Sequence, residues 1–272
     1  MWVDTSDRAP EKSPRRDAAD VEWVRNGRAP SGLPLGYVAA MRPRGARPLA
    51  YALGAAVKDL RNPRSRGRAL RATVWCSRSG RLPPTYDQIE GSAEGSAAVM
   101  LQVRCWEPDE GGDPADRHRV NDSRATLIRA LRAEFGARFF GGFQNRAYAR
   151  DVYPDCVADV PYDQPSYLAR LRHCAVAVAG TGLHGSLPWK LAEYAAMSRA
   201  VVAERNDNLV PSSHRGVYAE YDTVEQCVAQ CARLLDDASL RKDRQEAAQE
   251  LWRQHVRPDR LVLDRLHETF DS

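Results

Sequence analysis

The sequence predicts an α/β protein built on a parallel sheet flanked by helices, and two observations predict it. The run Cys174-Ala-Val-Ala-Val-Ala179 is short, uncharged and rich in small and β-branched residues, which is typical of a strand buried on both faces. Strand-like and helix-like segments also alternate from residue 97 to about residue 220. This alternation favours parallel strands joined by crossover helices.

Composition supports a globular enzyme or binding domain and argues against several other classes. The chain has 272 residues, 43% of them hydrophobic, and its net charge is +4. Its arginines are spread along the chain, whereas a nucleic-acid-binding face would need clustered cations with interleaved aromatics. There is no apolar run of about 18 residues to span a bilayer, and no signal peptide is recognised. Six scattered cysteines without a C-x-x-C pair indicate reduced thiols and no metal site, so we expect a cytoplasmic protein.

The first 96 residues are expected to differ from the rest. Residues 1–76 contain extended pieces punctuated by prolines, and residues 77–96, rich in glycine, serine and proline, predict a linker or long loop. In residues 1–76 we expect extended segments at Met1–Asp7, Ala19–Val24, Leu33–Val38 and Ala72–Cys76, and a helix at Ala50–Asp59.

Residues 97–256 form the second predicted domain, and residues 257–272 a C-terminal helix. We expect strands at Ala97–Cys105, Gly136–Gly142, Cys174–Ala179, Ala200–Glu204 and Val217–Tyr221. We expect helices from Asp122 or Ser123 to Phe135, then at Gln164–His173, Thr223–Leu235, Ala238–His255 and Pro258–Phe270, with irregular chain at Trp106–Arg119 and Tyr148–Asp163. Ligands of such sheets bind at the carboxyl ends of the strands, where Gly141, Gly182 and Glu204 are expected.

The segment from Gly180 to Tyr194 is the strongest candidate site. Three glycines follow the buried strand and allow a ligand to approach the backbone closely. Ser186 is expected to cap a new helix, whose free N–H groups and dipole would favour a phosphate. Lys190 and Glu193 are three residues apart and share a helix face. The alternative is an ordinary buried crossover without a ligand.

Pro188-Trp-Lys-Leu-Ala-Glu-Tyr194 and the following Ala195–Val202 resemble the P-x-K-(L)-x-E-Y-x-A-x-(G)-x-P-V-V signature of GT-B glycosyltransferases. That signature belongs to their C-terminal, Rossmann-like domain, which binds the nucleotide sugar. The resemblance implies a metal-independent, hexosyltransferase-like enzyme with a nucleoside-diphosphate sugar as donor substrate and no separate cofactor. The chain departs from the family pattern at Gly185, where the family has a first glutamate, and at Ser198 and Ala200.

The resemblance also implies roles for individual residues. Glu193 would hold the donor ribose, and Arg104 would meet the diphosphate, although Arg104 can equally pair with a nearby carboxylate. Lys190 would serve catalysis by stabilising the departing diphosphate. Independently of the resemblance, His184 lies within the glycine loop, where it would serve catalysis by hydrogen-bonding a phosphate or a sugar hydroxyl; the alternative is an exposed histidine of no role. The expected nucleotide-binding residues also include Gly141, Gly142, Gly182, Gly185 and Ser186.

In this interpretation residues 1–76 are expected to be the remainder of an acceptor-side α/β domain whose first units are missing; the alternative is a small irregular cap on the second domain. A partner chain or a dimer would complete it, and the last helix would cross back to it. Three function classes stay open: a glycosyltransferase acting in polysaccharide or glycoconjugate assembly, a nucleotide-sugar-binding module that lacks catalysis or needs a partner, and an α/β scaffold or nucleic-acid-associated protein.

Overall fold

A computed structural model of the chain describes residues 2–4, 22–24, 33–34, 85–110, 113–208, 210 and 212–270. The chain divides into two compact units, Met1–Ala39 with Gly91–Ser272, and Ala40–Glu90. In the second unit the described part carries helix α1 (Tyr86–Ile89), where the Thr85 amide donates to the Gln88 side chain at 2.8 Å. Helix α1 lies inside the segment expected to be a linker, and the helix and strand expected at 50–59 and 72–76 lie outside the described residues.

The residues described near the N-terminus form three short strands. They are β1 (Trp2–Asp4), β2 (Glu22–Val24) and β3 (Leu33–Pro34), and they pair in parallel in the order β1-β2-β3. Each falls within one of the extended segments predicted from the sequence and is shorter than that prediction.

The main sheet confirms the predicted fold class. Its five strands are β4 (Ser96–Val103), β5 (Phe139–Phe143), β6 (Cys174–Ala179), β7 (Ala200–Glu204) and β8 (Ala219–Tyr221). All neighbours pair in parallel, in the order β5-β4-β6-β7-β8. Every residue of β6 is buried, as expected for a central strand covered by helices on both faces.

The strand order reverses between β4 and β6. From β4 the chain moves outward to β5, and a parallel bridge between Phe143 and Val157 extends that side. From β6 it moves the other way, through β7 to β8. Connections leaving two adjacent strands in opposite directions open a crevice at their carboxyl ends. We call this place the switch point.

Helices cover both faces of the sheet. They are α2 (Pro114–Phe135), α3 (Ala147–Val152), α4 (Gln164–His173), α5 (Lys190–Ala196), α6 (Val224–Asp236), α7 (Ala238–Leu251) and α8 (Pro258–Phe270), with a π-helical turn at Trp252–Val256 after α7. Helices α2 and α6 pack together on one face, and α4, α5 and α7 pack against the strands from the other. In the core beneath α2 and α6, valines of three adjacent strands (Val99, Val176 and Val202) pack with Ile128 and Leu131 of α2.

Local capping explains where several helices begin. Asp163 accepts a hydrogen bond from the Ser166 amide at 2.9 Å, and α4 has the predicted bounds. The prediction for α2 is wrong: Asp113, and not Asp122 or Ser123, caps it by accepting from the Ala115 amide at 2.9 Å. The first turns of α2 are charged and largely exposed, so no apolar periodicity marked them as helix.

Segments expected to be irregular also contain structure. The stretch from Tyr148 to Asp163 contains most of α3 and a 3₁₀ turn at Pro154–Cys156.

Across the described residues, no helix combines the length and the apolar character that crossing a bilayer would need.

Candidate functional site

The loop after β6 folds back on itself. The Gly182 amide donates to the Ser186 carbonyl at 2.9 Å, and the Ser186 amide donates to the Leu183 carbonyl at 3.1 Å. The amides of Thr181 and His184 donate to Glu204 and Asp116, at 2.6 and 2.7 Å. Four of the loop's N–H groups are therefore engaged within the protein, whereas the sequence predicted free donors for a phosphate.

Ser186 does not cap a helix, so that prediction is wrong. Helix α5 begins at Lys190 and is preceded by Trp189, which makes no side-chain capping bond. Ser186 is buried, and its Oγ lies only 2.3 Å from the position of a Cβ built on Gly182. A residue larger than glycine at position 182 would collide with it, so Gly182 and Ser186 shape the turn of the loop.

Lys190 and Glu193, three residues apart in the first turn of α5, lie at the switch point. The Lys190 ammonium donates to the carbonyl of Gln102, one residue before the end of β4, and lies 5.1 Å from the centre of the Tyr167 ring. The Tyr167 hydroxyl donates to Glu193 Oε2 at 2.8 Å. Both charged groups are partly buried and have partners inside the protein.

Burial changes the acidity of this pair in opposite directions. It lowers the pKa of Lys190 to about 8, although attraction to Glu193 works the other way. It raises the pKa of Glu193, and the hydrogen bond from Tyr167 and the charge of Lys190 only partly offset this effect. In both cases removal from water disfavours the charged form.

Arg104 follows β4 directly and is paired with a carboxylate. Its guanidinium donates to Glu110 and stacks over the Trp106 ring at 4.2 Å from the ring centre. The alternative foreseen from the sequence, an arginine bound to a nearby carboxylate, describes this arrangement. Any contact between Arg104 and a ligand remains a prediction.

His184 lies at the exposed tip of the loop in a left-handed conformation, with φ of 59°. Its amide is anchored by Asp116 of α2, and its Nδ1 lies 3.7 Å from the same carboxylate. Burial alone would raise the pKa of Asp116, but hydrogen bonds from His184 and Arg119 outweigh it and hold that pKa below its ordinary value. Asp116, which the sequence placed in an irregular loop, therefore fixes the loop after β6 to the start of α2.

Gly141 and Gly142 serve the sheet itself. Their φ angles are 135° and 132°, and a Cβ on Gly141 would lie 2.0 Å from the Leu101 carbonyl oxygen in β4. A Cβ on Gly142 would lie 2.5 Å from the Cys156 carbonyl oxygen. Both residues allow close backbone approach inside the protein, which explains them without a nucleotide.

An open cleft lies at the carboxyl end of β7 and beside β8. Its described lining has an apolar part that includes Leu187, Pro188 and Leu191, and a polar part that includes Glu204, Asn206, Asn208 and Glu220. Asn206 and Asn208 both donate to the Gly185 carbonyl, at 2.9 and 2.7 Å. These two side chains hold the loop after β6 against the loop after β7.

Sequence reasoning missed Gln102, Tyr167, Asp116 and Arg124 as members of this region. None lies in a motif, and each is brought there by a contact spanning 20 or more residues of sequence. The described residues contain no group of three or more histidine, cysteine, aspartate or glutamate side chains placed to hold a metal ion. Cys227 and Cys231, one helical turn apart, are both buried thiols of the core.

Comparison with known proteins gives structural similarity alone. No protein-family profile and no curated protein sequence matches the chain. It is similar to the crystal structure of the C-terminal domain of a glycosyl transferase group 1 family protein from Francisella tularensis, with 11% identity, a TM-score of 0.41, and coverage of 61% of this chain and 94% of that one. It is also similar to a glycosyltransferase from Rickettsia africae, with 11% identity and a TM-score of 0.43, where the match covers 74% of this chain and 51% of that one.

Proposed function

We propose that this chain binds a nucleoside-diphosphate sugar at the switch point and takes part in transferring the sugar to an acceptor. The observation that carries the proposal is the placement of Lys190 and Glu193, a cation and a carboxylate side by side at the carboxyl ends of β4 and β6. Parallel sheets bind ligands at such a place. The resemblance of Pro188–Tyr194 to the GT-B signature supports the same assignment.

The chemistry follows from the charges. When the bond between the sugar and the diphosphate breaks, negative charge grows on the departing diphosphate, and a fixed cation in a partly buried site lowers that barrier. Lys190 is that cation in our proposal. Glu193 already accepts from Tyr167 through Oε2, and a carboxylate has further acceptor positions on its other oxygen. A ribose hydroxyl would donate to that oxygen.

The reaction needs no separate cofactor in this proposal, since Lys190 and nearby arginines supply positive charge. The acceptor would be a sugar or a lipid-linked sugar of polysaccharide or glycoconjugate assembly. A second chain would supply acceptor-side residues if the N-terminal region does not.

Binding of nucleotides tests the proposal. We expect one of UDP, GDP, dTDP, ADP and CMP to raise the melting temperature and to give a measurable Kd by calorimetry. Glu193→Gln should weaken that binding tenfold to a hundredfold, since losing a hydrogen bond to a charged group corresponds to about 1.5–3 kcal/mol. Glu246→Gln, an exposed change on α7, is the matched control and should bind like the parent protein.

Two results would contradict the assignment: no binding of any of the five nucleotides, or unchanged affinity in a folded Glu193→Gln variant. Far-ultraviolet circular dichroism of each variant separates loss of binding from loss of structure.

A binding module without catalysis is the second candidate. It is favoured by the closed loop after β6, in which Thr181, Gly182, His184 and Ser186 already direct their amides to acceptors in the protein. Fewer donors then remain for a departing diphosphate. Incubation with the matching nucleotide sugar, with and without simple sugar acceptors, separates the candidates, because a binding module gives a Kd but releases no nucleoside diphosphate.

A further inference from the structure

Arg124 of α2 reaches the ends of both strands at the switch point. Its Nη1 donates to the carbonyl of Arg104, the residue directly after β4, at 2.8 Å. Its Nη2 donates to the carbonyl of Thr181, two residues after β6, at 3.4 Å. One guanidinium therefore spans the two chain segments that diverge there.

The surroundings of this guanidinium are unusual for a cation. Its Nε is buried, and no acceptor among the described residues meets it. Burial lowers the pKa of Arg124 to about 10, although the charge of Glu204 acts in the opposite direction. A partly buried cation held by backbone carbonyls costs free energy to desolvate, and its position suggests a geometric role.

The contacts continue to a third strand. Glu204, the last residue of β7, accepts from the Thr181 amide at 2.6 Å and from the Thr181 hydroxyl at 2.7 Å through one oxygen. Arg124, Thr181 and Glu204 thus connect the carboxyl ends of β4, β6 and β7. They also line a small open pocket between α2 and these strand ends.

We propose that Arg124 is a positioning residue that fixes the separation of the β4 and β6 ends, and thereby places Arg104 and the loop after β6 for an anionic ligand. The planar guanidinium fork can satisfy two carbonyls in fixed directions, which a lysine cannot do. This inference rests on the proposed function insofar as the anion is taken to be a diphosphate.

The test compares Arg124→Met, Arg124→Lys and the control Arg129→Met. Arg129 lies on the same helix, where it forms an exposed ion pair with Asp155. The probes are inorganic pyrophosphate and the five nucleotides named above, with Kd measured at a temperature well below the melting point of every variant. We expect Arg124→Met to bind pyrophosphate at least tenfold more weakly, Arg124→Lys to be weakened despite keeping its charge, and Arg129→Met to match the parent protein.

Stability alone does not decide the question, because a purely structural arginine also lowers the melting temperature. A lowered melting temperature with unchanged pyrophosphate affinity in Arg124→Met would overturn the inference. If Arg124→Met does not fold, unchanged affinity in Arg124→Lys overturns it in the same way.

The two proposals fail separately. If the parent protein binds pyrophosphate and none of the nucleotides, the proposed function fails, while the arginine variants still decide the role of Arg124 with pyrophosphate. If the parent protein binds neither kind of probe, the crevice is not an anion site and both proposals are overturned.

Discussion

The hydroxyl of Tyr167 donates to Oε2 of Glu193 at 2.8 Å, and this bond joins the first turn of α4 to the first turn of α5. Lys190 lies against the ring of the same tyrosine. Tyr167 therefore contacts both charged residues of the signature segment, and its removal should affect the stability of the fold as well as the site.

Tyr167→Phe should lower the free energy of unfolding by about 1.5–3 kcal/mol, because it removes a partly buried hydrogen bond to a charged group. Tyr162→Phe is the matched control. Its hydroxyl donates to the neutral carbonyl of Gly142 at 3.2 Å, so its loss should lower that energy by about 0.5–1.5 kcal/mol. Urea denaturation measures both, and equal effects would show that the charge of Glu193 does not strengthen the Tyr167 bond.

The partly buried amine of Lys190 should make stability depend on pH above neutrality. Its pKa in the folded protein is lowered to about 8, mainly by burial, whereas an unfolded lysine titrates near about 10.4. Between these values the unfolded state binds more protons, so the free energy of unfolding rises with pH. The contribution of Lys190 to the free energy of unfolding is fully present above the pKa of the unfolded state and is lost as the pH falls through about 8.

Between about pH 7 and about pH 9.5, the free energy of unfolding of the parent protein should therefore rise by about 2 kcal/mol more than that of Lys190→Met. Urea denaturation across that range measures the difference. Lys242→Met, which changes an exposed lysine of α7, should leave the pH dependence of the parent unchanged. If the free energies of unfolding of the parent and of Lys190→Met changed equally with pH, the lowered pKa assigned to Lys190 would be contradicted.

Gly141→Ala should destabilise the sheet far more than Gly136→Ala. At Gly136 φ is 50° and ψ is −120°, a backbone conformation that favours glycine, and a Cβ meets nothing within 4 Å. The change therefore brings backbone strain alone, about 1–3 kcal/mol. At Gly141 the added Cβ would lie 2.0 Å from a carbonyl oxygen of β4, and β4 or β5 must move. We expect Gly136→Ala to be well folded and Gly141→Ala to melt at least about 10 °C below Gly136→Ala. Similar melting temperatures for the two variants would refute the close approach of Gly141 to β4.

Arg199 should be a structural cation that lysine cannot replace. Its buried guanidinium donates to the carbonyls of Met197 and Cys174 at 2.8 Å each, to that of Arg172 at 3.1 Å, and to that of Ser92. Arg199→Met leaves these carbonyls without their donor and should cost about 1–3 kcal/mol of stability for each carbonyl that stays unsatisfied.

Arg199→Lys should recover only part of that loss, since a compact ammonium cannot reach several diverging carbonyls. Arg253→Met, an exposed change, is the control and should stay within about 0.5 kcal/mol of the parent. Chemical denaturation of the three variants gives the comparison. Full stability in Arg199→Lys would show that an ammonium group satisfies the site as well as the guanidinium does.

Local sequence features predicted the elements whose signals lie within the elements. Strand β7 has the bounds that its apolar run predicts, and α4 has those indicated by its Asp163 cap. The early part of α2 was missed because charged residues that face solvent carry no periodic apolar signal. The contact of Ser186 with Gly182 was missed because serine is common both at helix caps and in turns, so its identity does not distinguish the two.

The sequence by itself determined the parallel α/β class, the buried central strand β6, and the shared face of Lys190 and Glu193, because strand burial and helical spacing depend on neighbouring residues. The tertiary structure decided the partners of that pair. Gln102 lies 88 residues before Lys190 and Tyr167 lies 26 residues before Glu193. The strand order, which brings β4 beside β6, places these residues in contact, and no local pattern encodes a choice made by packing between distant segments.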